Sequence, residues 1–302
     1  MTVVLITGAS GFFGKALISA LSQGNRDDRF VCLSRDQTIN HRDPRFTFIK
    51  ADLLDSTFRQ NLIEEIKPEV CVHLAWHVPP GVFWQSPENM RWREVSVSLF
   101  CEFCRAGGRV FIGAGTTAEY DWSAGFLDEA TTPLAPHTLY GQCKKALHET
   151  IRETRDKERY DVAIVWPRIG YFFGPYEPPQ KLIPRLIESV RNDMPMRLVA
   201  RTVSRPYAHV RYLADCLAWL TSKHKTDLTF NLSTSHTHSF EEIVSCIVKT
   251  LKATPDHITY GDESDDGAKP LKLHINTLLF KNSMGYEIPD TLFTDLRALI
   301  NG

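Results

Sequence analysis

The first fifteen residues constrain the fold more than any other stretch of the chain. Residues 3–6, Val-Val-Leu-Ile, are a short, β-branched, apolar run and read as a strand buried on both faces. Gly8, Gly11 and Gly14 follow at a spacing of three, and a helical pattern opens at Lys15. Strand, glycine turn and helix in that order make an anion site. Gly8 permits the tight turn, Gly11 lets a pyrophosphate approach the backbone, and Gly14 lets helix and strand pack closely. The free N–H groups of the helix start then face the phosphates. The same glycines would serve a turn that needs them only for packing, but their place at the head of the chain and their flanks favour the anion site.

Beyond this unit, strands and helices alternate. Strands are expected at residues 29–33, 46–49, 70–75, 109–112 and 162–166, and helices at 55–67, 93–105 and 138–157. The alternation calls for an α/β fold with a doubly wound parallel sheet. Residues 76–92 are irregular, rich in Pro, Gly and aromatic residues, and long enough for a binding loop. After Gly174-Pro175 the character changes. Helices are expected at 181–192, 211–222, 239–251 and 291–300, short strands at 198–203, 207–210 and 228–232, and a polar loop at 262–269. The expected organisation is a Rossmann domain over residues 1–174 that binds a dinucleotide. A strand near 228–232 completes its sheet, and a smaller C-terminal α/β substrate-binding lobe occupies most of 175–302.

Lys and Arg together number 35 against 36 Asp and Glu, a net charge of −1, which gives no reason to expect nucleic acid as a partner. No apolar run approaches the ~20 residues needed to span a bilayer, so no membrane is expected. The start lacks a basic segment followed by an apolar one, so no signal peptide is expected either. The odd set of 7 cysteines fits reduced thiols and the cytoplasm. Cys101 and Cys104 have metal-like spacing, but they sit in a helical pattern with no second pair, so no metal is expected. His236 and His238 precede a helix without an obvious acidic partner and read as a solvated turn. Trp84 and Trp92 suit either stacking on a sugar or filling an interface.

The chemistry gathers around Tyr140 and Lys144, four residues apart on one expected helix face. A free tyrosine, with a pKa near ~10, is a poor acid or base at neutral pH. A neighbouring ammonium favours the phenolate and lowers that value, which makes the pair a workable proton carrier. Thr116, at the mouth of the strand at 109–112, can supply the hydroxyl that holds a substrate oxygen. The second strand ends in Ser34-Arg35 with no acid before Asp36. An acid there selects NAD, whereas a nearby Arg accommodates a 2′-phosphate, so NADP(H) is favoured and NAD(H) is the other possibility.

These residues sit within a wider set of motifs: Thr7-Gly-Ala-Ser-Gly-Phe-Phe-Gly14, Ala51-Asp52-Leu53, His73-Leu74-Ala75, Tyr140-x-x-x-Lys144, Gly174-Pro175, Leu182-Ile-Pro184, Arg205-Pro-Tyr-Ala-His-Val210, Leu213-Ala-Asp215 and Met284-Gly-Tyr-Glu-Ile-Pro289. Over nearly its whole length the chain resembles the extended short-chain dehydrogenase/reductases of the nucleotide-sugar epimerase/dehydratase superfamily. The resemblance implies that Gly8, Ser10, Gly11, Phe12, Phe13 and Gly14 cradle the cofactor pyrophosphate. It places Ser34 and Arg35 at the adenosine ribose, Asp52 and Leu53 at the adenine, and Leu74, Ala75, Pro167 and Arg168 near the ribose and nicotinamide. It makes Thr116, Tyr140 and Lys144 the catalytic set. Thr116, Thr117 and Arg205 would contact the substrate, with Arg205 on the sugar-nucleotide diphosphate.

The departures from the family pattern bear on the reaction. Dehydratases of this kind carry an Asp-Glu pair directly after the catalytic Thr. Here Thr117 and Ala118 stand there, and Glu119 is one place late. Tyr176 follows Gly174-Pro175 where the carbon-3/carbon-5 epimerase-reductases have His, Ser96 and Gly170 stand where Asn is common, and Pro206 stands where Asp is usual. The expected function is therefore NADP(H)-dependent reduction of a nucleotide-linked 4-keto-6-deoxyhexose, with Tyr140 as general acid. The alternatives are a 4-epimerase or dehydratase with tightly bound NAD(P), and a cofactor-sensing binding protein. The resemblance also implies a homodimer that packs the helices at 93–105 and 138–157 across a two-fold axis.

Overall fold

The computed structural model describes all residues except 25–26, 36–41, 224–225, 255 and 262–269. The chain divides into two compact units. The first comprises Met1–Glu119, Pro136–Arg168 and Ala214–Thr229; the second comprises Tyr120–Ala135, Ile169–Leu213 and Phe230–Gly302.

The first unit is built on the expected parallel sheet, which gives the fold its Rossmann character. From one edge its strands run Leu228–Leu232, Ala163–Ile169, Val110–Gly113, Val70–His73, Val3–Thr7, Arg29–Ser34 and Phe46–Lys50. Leu5 lies opposite Val31 on one side and Cys71 on the other. The strand order reverses beside Val3–Thr7, and a crevice opens at such a point beyond the carboxyl ends of the strands. The central strands are buried, which explains their unbroken apolar runs.

Each helix of this unit presents one apolar face to the sheet. Leu99, Phe100 and Phe103 of Glu88–Arg105 and Leu147 and Ile151 of Leu139–Glu158 are fully buried with Phe111 and Ile164. Burying each such side chain contributes about 1.5–3 kcal/mol. Asp55 caps Ser56–Ile66 by accepting from the N–H of Phe58, and Thr138 caps Leu139–Glu158 by accepting from the N–H of Gly141. Two of the boundaries that differ from expectation bear on the site. The helix over 88–105 starts five residues early, because Pro87 opens it with a helical φ and Glu88 suits its first turn. The strand Ala163–Ile169 runs on through Pro167 and Arg168, and it also pairs with Gly115–Thr116.

The second unit has short strand pairs around its own core. Tyr171–Phe173 runs parallel to Tyr207–His209, and Met196–Leu198 runs parallel to Ile258–Tyr260. Ser204–Arg205 pairs antiparallel with His238–Ser239. Residues 199–203, expected to be strand, instead connect two of these short strands. Ile183, Leu186, Ile243, Ile247 and Leu296 fill the core between helices Leu182–Arg191, Phe240–Leu251 and Leu292–Asn301. Ser239 and Glu242 form a reciprocal capping box at the start of Phe240–Leu251, and His238 pairs with Asp290 at 2.8 Å. Asp290 is an acidic partner that proximity in sequence did not reveal. The polar loop expected at 262–269 lies outside the described residues. Among the described residues no helix is long and apolar enough to cross a membrane.

Candidate active site

The turn after the first strand has the geometry of a phosphate cradle. Gly8 sits at φ +72°, and a Cβ there would come within 2.7 Å of the Ala75 nitrogen. A Cβ at Gly14 would strike the carbonyl oxygens of Gly8 and Ala9, so only glycine lets Phe12–Gln23 start so close to the strand. Gly11 is the N-cap of that helix and no side chain caps it, so the positive end of the helix dipole faces the turn. These residues fit a dinucleotide pyrophosphate. Ser10, Phe12 and Phe13 are half-buried on the same turn, as are Leu74 and Ala75 after the strand Val70–His73. Ser34 is buried at the end of the second strand, and Arg35 is exposed just beyond it. Asp36 lies outside the described residues. Leu53 is buried, while Asp52 is exposed and accepts from the N–H of Leu54.

A buried relay ties this turn to its neighbours. Thr7 Oγ1 lies 2.8 Å from His73 Nδ1, His73 Nε2 lies 2.8 Å from Ser96 Oγ, and Ser96 Oγ donates to the Trp92 carbonyl. Ser96 has one proton, already used, so it accepts from His73 Nε2–H. Nδ1 then accepts from Thr7, whose oxygen in turn accepts the Ala75 N–H at 3.2 Å. Burial, aided by Lys144, pulls the His73 pKa down to about 3, so this wiring is that of a neutral ring.

Thr116, Tyr140 and Lys144 come together in the first unit. The Thr116 side chain lies close enough to Tyr140 to favour its phenolate, against the larger effect of burial. Gly141 makes this possible: a Cβ there would lie 2.1 Å from the Ala118 carbonyl oxygen, so glycine lets the helix press against the 117–119 turn. Lys144 is 3% exposed; its Nζ donates to the Ala114 carbonyl at 2.9 Å and lies 3.8 Å from the centre of the Trp76 ring. The expected lowering of Tyr140 by Lys144 is not found in this arrangement. Burial dominates, raising Tyr140 well above its ordinary value and lowering Lys144 to about 7.

Three features of the site were not drawn from the sequence. The first is an aromatic collar: Trp76, Phe83 and Trp84 meet the Tyr140 ring edge-on, with centroids 6.4, 5.0 and 5.8 Å away. The second is the buried Asn89, which accepts from Trp76 Nε1 and donates to the Phe83 carbonyl, fixing two members of the collar. Trp92, by contrast, belongs to the core. The third is Glu119, which is 0% exposed. It accepts from the Thr116 N–H at 2.8 Å, from Trp166 Nε1 at 3.1 Å and from Arg168 Nε at 3.0 Å. The aromatics of 76–92 and the displaced acid at Glu119 were the local signals available.

Other expected site residues lie as follows. Thr117 is buried in the turn after Thr116. Pro167 is buried in its strand beside Arg168, whose guanidinium faces Glu119. In the second unit, the buried Arg205 donates through Nη1 to the carbonyls of Ser204, Pro270 and Leu271.

A sequence model described as the NAD dependent epimerase/dehydratase family matches residues 4–233. A dTDP-D-glucose 4,6-dehydratase of Mus musculus is 25% identical over 267 residues, spanning 83% of this chain and 73% of that one. Among solved structures, MoeE5 in complex with UDP-glucose and NAD superposes with a TM-score of 0.84 at 23% identity, over 99% of this chain and 97% of that chain. The UDP-glucose 4-epimerase of Thermotoga maritima, solved with UDP-glucose, gives 0.84 at 16% identity over the same shares. The matched span includes the glycine turn and the helix that carries Tyr140 and Lys144, and the chain belongs to the NAD dependent epimerase/dehydratase family.

Proposed function

We propose that the protein is an oxidoreductase acting on a nucleotide-linked sugar, and that it reduces a 4-keto-6-deoxyhexose with NADP(H). The state of Glu119 carries this reading. Elimination of water from a sugar needs a further acid and base beside the catalytic hydroxyls. Thr117 and Ala118 offer no such group, and the Glu119 carboxylate is bound to Thr116, Trp166 and Arg168. The remaining set of Thr116, Tyr140 and Lys144 suits one proton moved at one oxygen.

The nicotinamide, when bound, supplies the hydride. Tyr140, kept protonated by burial, gives its proton to the oxygen that gains charge. Thr116 holds that oxygen by a hydrogen bond that strengthens as the charge develops. Lys144 binds the nicotinamide ribose from its place over Trp76, and the aromatic collar keeps water from the Tyr140 hydroxyl.

Gly8, Ser10, Gly11, Phe12, Phe13 and Gly14 hold the pyrophosphate in this reading, with Asp52 and Leu53 at the adenine and Leu74, Ala75, Pro167 and Arg168 toward the nicotinamide. Thr117 and Arg205 contact the nucleotide sugar. Arg35, exposed at the end of its strand, supports NADP(H) by offering a guanidinium to the 2′-phosphate. Residues 1–174 would form the cofactor domain and 175–302 most of the substrate lobe.

A homodimer through helices Glu88–Arg105 and Leu139–Glu158 completes the reading. Leu99 and Phe103 are fully buried in the core, whereas Val95 and Val97 are only partly buried and Met90 is exposed. A monomer by sedimentation at micromolar concentration would reject the dimer.

A second reading, a 4-epimerase or dehydratase that recycles tightly held NAD, is supported by the dehydratase and epimerase relatives and by the NAD in the MoeE5 complex. The test is incubation of the protein with NADPH or NADH and a panel of nucleotide-linked 4-keto-6-deoxyhexoses, following the cofactor absorbance. Stoichiometric oxidation of NADPH is expected. Failure with every nucleotide, together with conversion of an unoxidised nucleotide sugar, would give the second reading its place.

A further inference from the structure

We propose that Glu119 positions the catalytic Thr116 and is the fixed negative charge beside Tyr140 and Lys144. This rests on Tyr140 carrying the proton, and it adds a residue that neither the usual catalytic set nor the elimination acids include.

The geometry is that of a bracket. Glu119 Oε1 accepts the backbone N–H of Thr116 at 2.8 Å, so the carboxylate holds the peptide that aims the Thr116 side chain. Thr116 Oγ1 in turn accepts from the Ala118 N–H at 3.2 Å, which closes the turn on itself. Behind the carboxylate, Trp166 Nε1 and Arg168 Nε, both from the strand Ala163–Ile169, fix both its oxygens. Trp166 is clamped by His148, stacked 4.7 Å away at 4° and two turns beyond Tyr140 on the same helix. The sequence makes room for the bracket. A Cβ at Gly115 would meet Trp166 and come within 2.9 Å of Glu119 Oε1, and a Cβ at Gly113 would strike the Trp166 ring. The line from His148 through Trp166, Glu119 and Thr116 thus returns to Tyr140, and no link in it depends on solvent.

A side chain with no exposure whose oxygens take three donors is expensive to desolvate, and a neutral residue would fill the space more cheaply. The charge accounts for its presence at this spot. Tyr140 and Lys144 both lie within its field, which opposes the phenolate and favours the ammonium. Among the described residues, the other titratable or charged groups that bear on the pair are Arg168, behind Glu119, and the neutral His73 from the strand Val70–His73. The loop before helix Glu88–Arg105 meets Tyr140 through the rings of Trp76, Phe83 and Trp84.

The test uses the full chain with Glu119→Gln and Glu119→Ala. Gln keeps an acceptor for the Thr116 N–H and removes the charge, while Ala removes both. Amide hydrogen exchange over residues 114–118 needs no substrate. It should quicken about tenfold or more in Glu119→Ala and stay near wild type in Glu119→Gln. The pH profile of kcat is read with NADPH and a nucleotide-linked 4-keto sugar or, if that fails, with an unoxidised nucleotide sugar that the protein epimerises. Loss of the anion, with Arg168 left unbalanced, favours the phenolate. In Glu119→Gln the limb set by Tyr140 should therefore move down by about half a unit to one unit, less than the 1–3 units of an unscreened neighbour. KM should change less than kcat. An unmoved limb in a folded, cofactor-binding Glu119→Gln, or unchanged exchange in Glu119→Ala, overturns the proposal. If Glu119→Ala does not fold, Trp166→Phe takes its place in the exchange experiment, and unchanged exchange there counts the same way. Absent keto-reduction with a shifted limb in epimerisation would instead reject the reductase reading and leave Glu119 in its role.

Discussion

Gly141→Ala should separate a stabilising helix substitution from a damaging one at the site. In an ordinary helix interior this change stabilises by about 1 kcal/mol. Here the new Cβ would lie 2.1 Å from the Ala118 carbonyl oxygen and 2.9 Å from Pro136 Cβ. Both obstacles are backbone or ring atoms that cannot swing aside. Helix and turn must part by roughly 1 Å or more to reach ordinary contact. Tyr140 rides on the helix and Thr116 on the strand that leads into the turn, so their hydroxyls no longer converge on one substrate oxygen. A displacement of that size costs on the order of a hundredfold in rate. The measurements are kcat and KM with the nucleotide sugar the protein turns over, Tm by circular dichroism, and dinucleotide affinity by fluorescence titration. The expected result is a fall in kcat of about a hundredfold and a lower Tm, with affinity within about twofold because the glycine turn at residues 8–14 is untouched. A raised Tm with wild-type kcat would refute the reasoning.

Further outcomes are expected. Tyr140→Phe should lower kcat by about a hundred- to ten-thousandfold and leave dinucleotide affinity nearly unchanged; a sensor that needs no proton transfer would keep its biological activity. Arg35→Ala should weaken NADPH binding by about ten- to a hundredfold and leave NADH nearly unchanged, as fluorescence titration will read; equal loss for both would remove the argument for NADP(H). His73 and His148 are held neutral chiefly by burial, each with its pKa near 3, whereas an unfolded histidine takes its proton near 6.5. Their contribution to stability is present above about pH 6.5 and is lost as pH falls toward 3, at about 1.4 kcal/mol per pH unit for each. His148→Phe should flatten the acid side of a urea-denaturation series by that one-histidine slope; an unchanged slope would mean that His148 does not titrate on unfolding.

Periodicity and punctuation made the sheet legible. Apolar runs such as residues 3–6 announce buried strands, and Thr138 before a helical pattern announces a cap, because these are local properties of a few neighbouring residues. The pairing of Tyr140 with Lys144 on one helix was legible for the same reason. The surroundings of the pair were not. Glu119 meets Trp166 across 47 positions of sequence, and Trp76 reaches Lys144 from another element. The sign of the effect on Tyr140 was missed because adjacency on a helix suggested a charge effect, whereas the aromatic collar adds a larger desolvation. The early start at Glu88 was hidden by Pro87, which resembles a loop residue in sequence and opens a helix in the fold.

The neutral His73 has one proton and two hydroxyl neighbours, and only one arrangement of donors satisfies all of them. The loops after the first and fourth strands are therefore riveted together through Thr7, which also takes the Ala75 N–H, and Gly8 sits hard against that same residue. In the proposed reading, the walls of the dinucleotide crevice thus act as a gauge of fixed width, set by backbone and by a ring that does not ionise in the working range. On acidification, this protein should lose its fold before it loses the shape that recognises its cofactor.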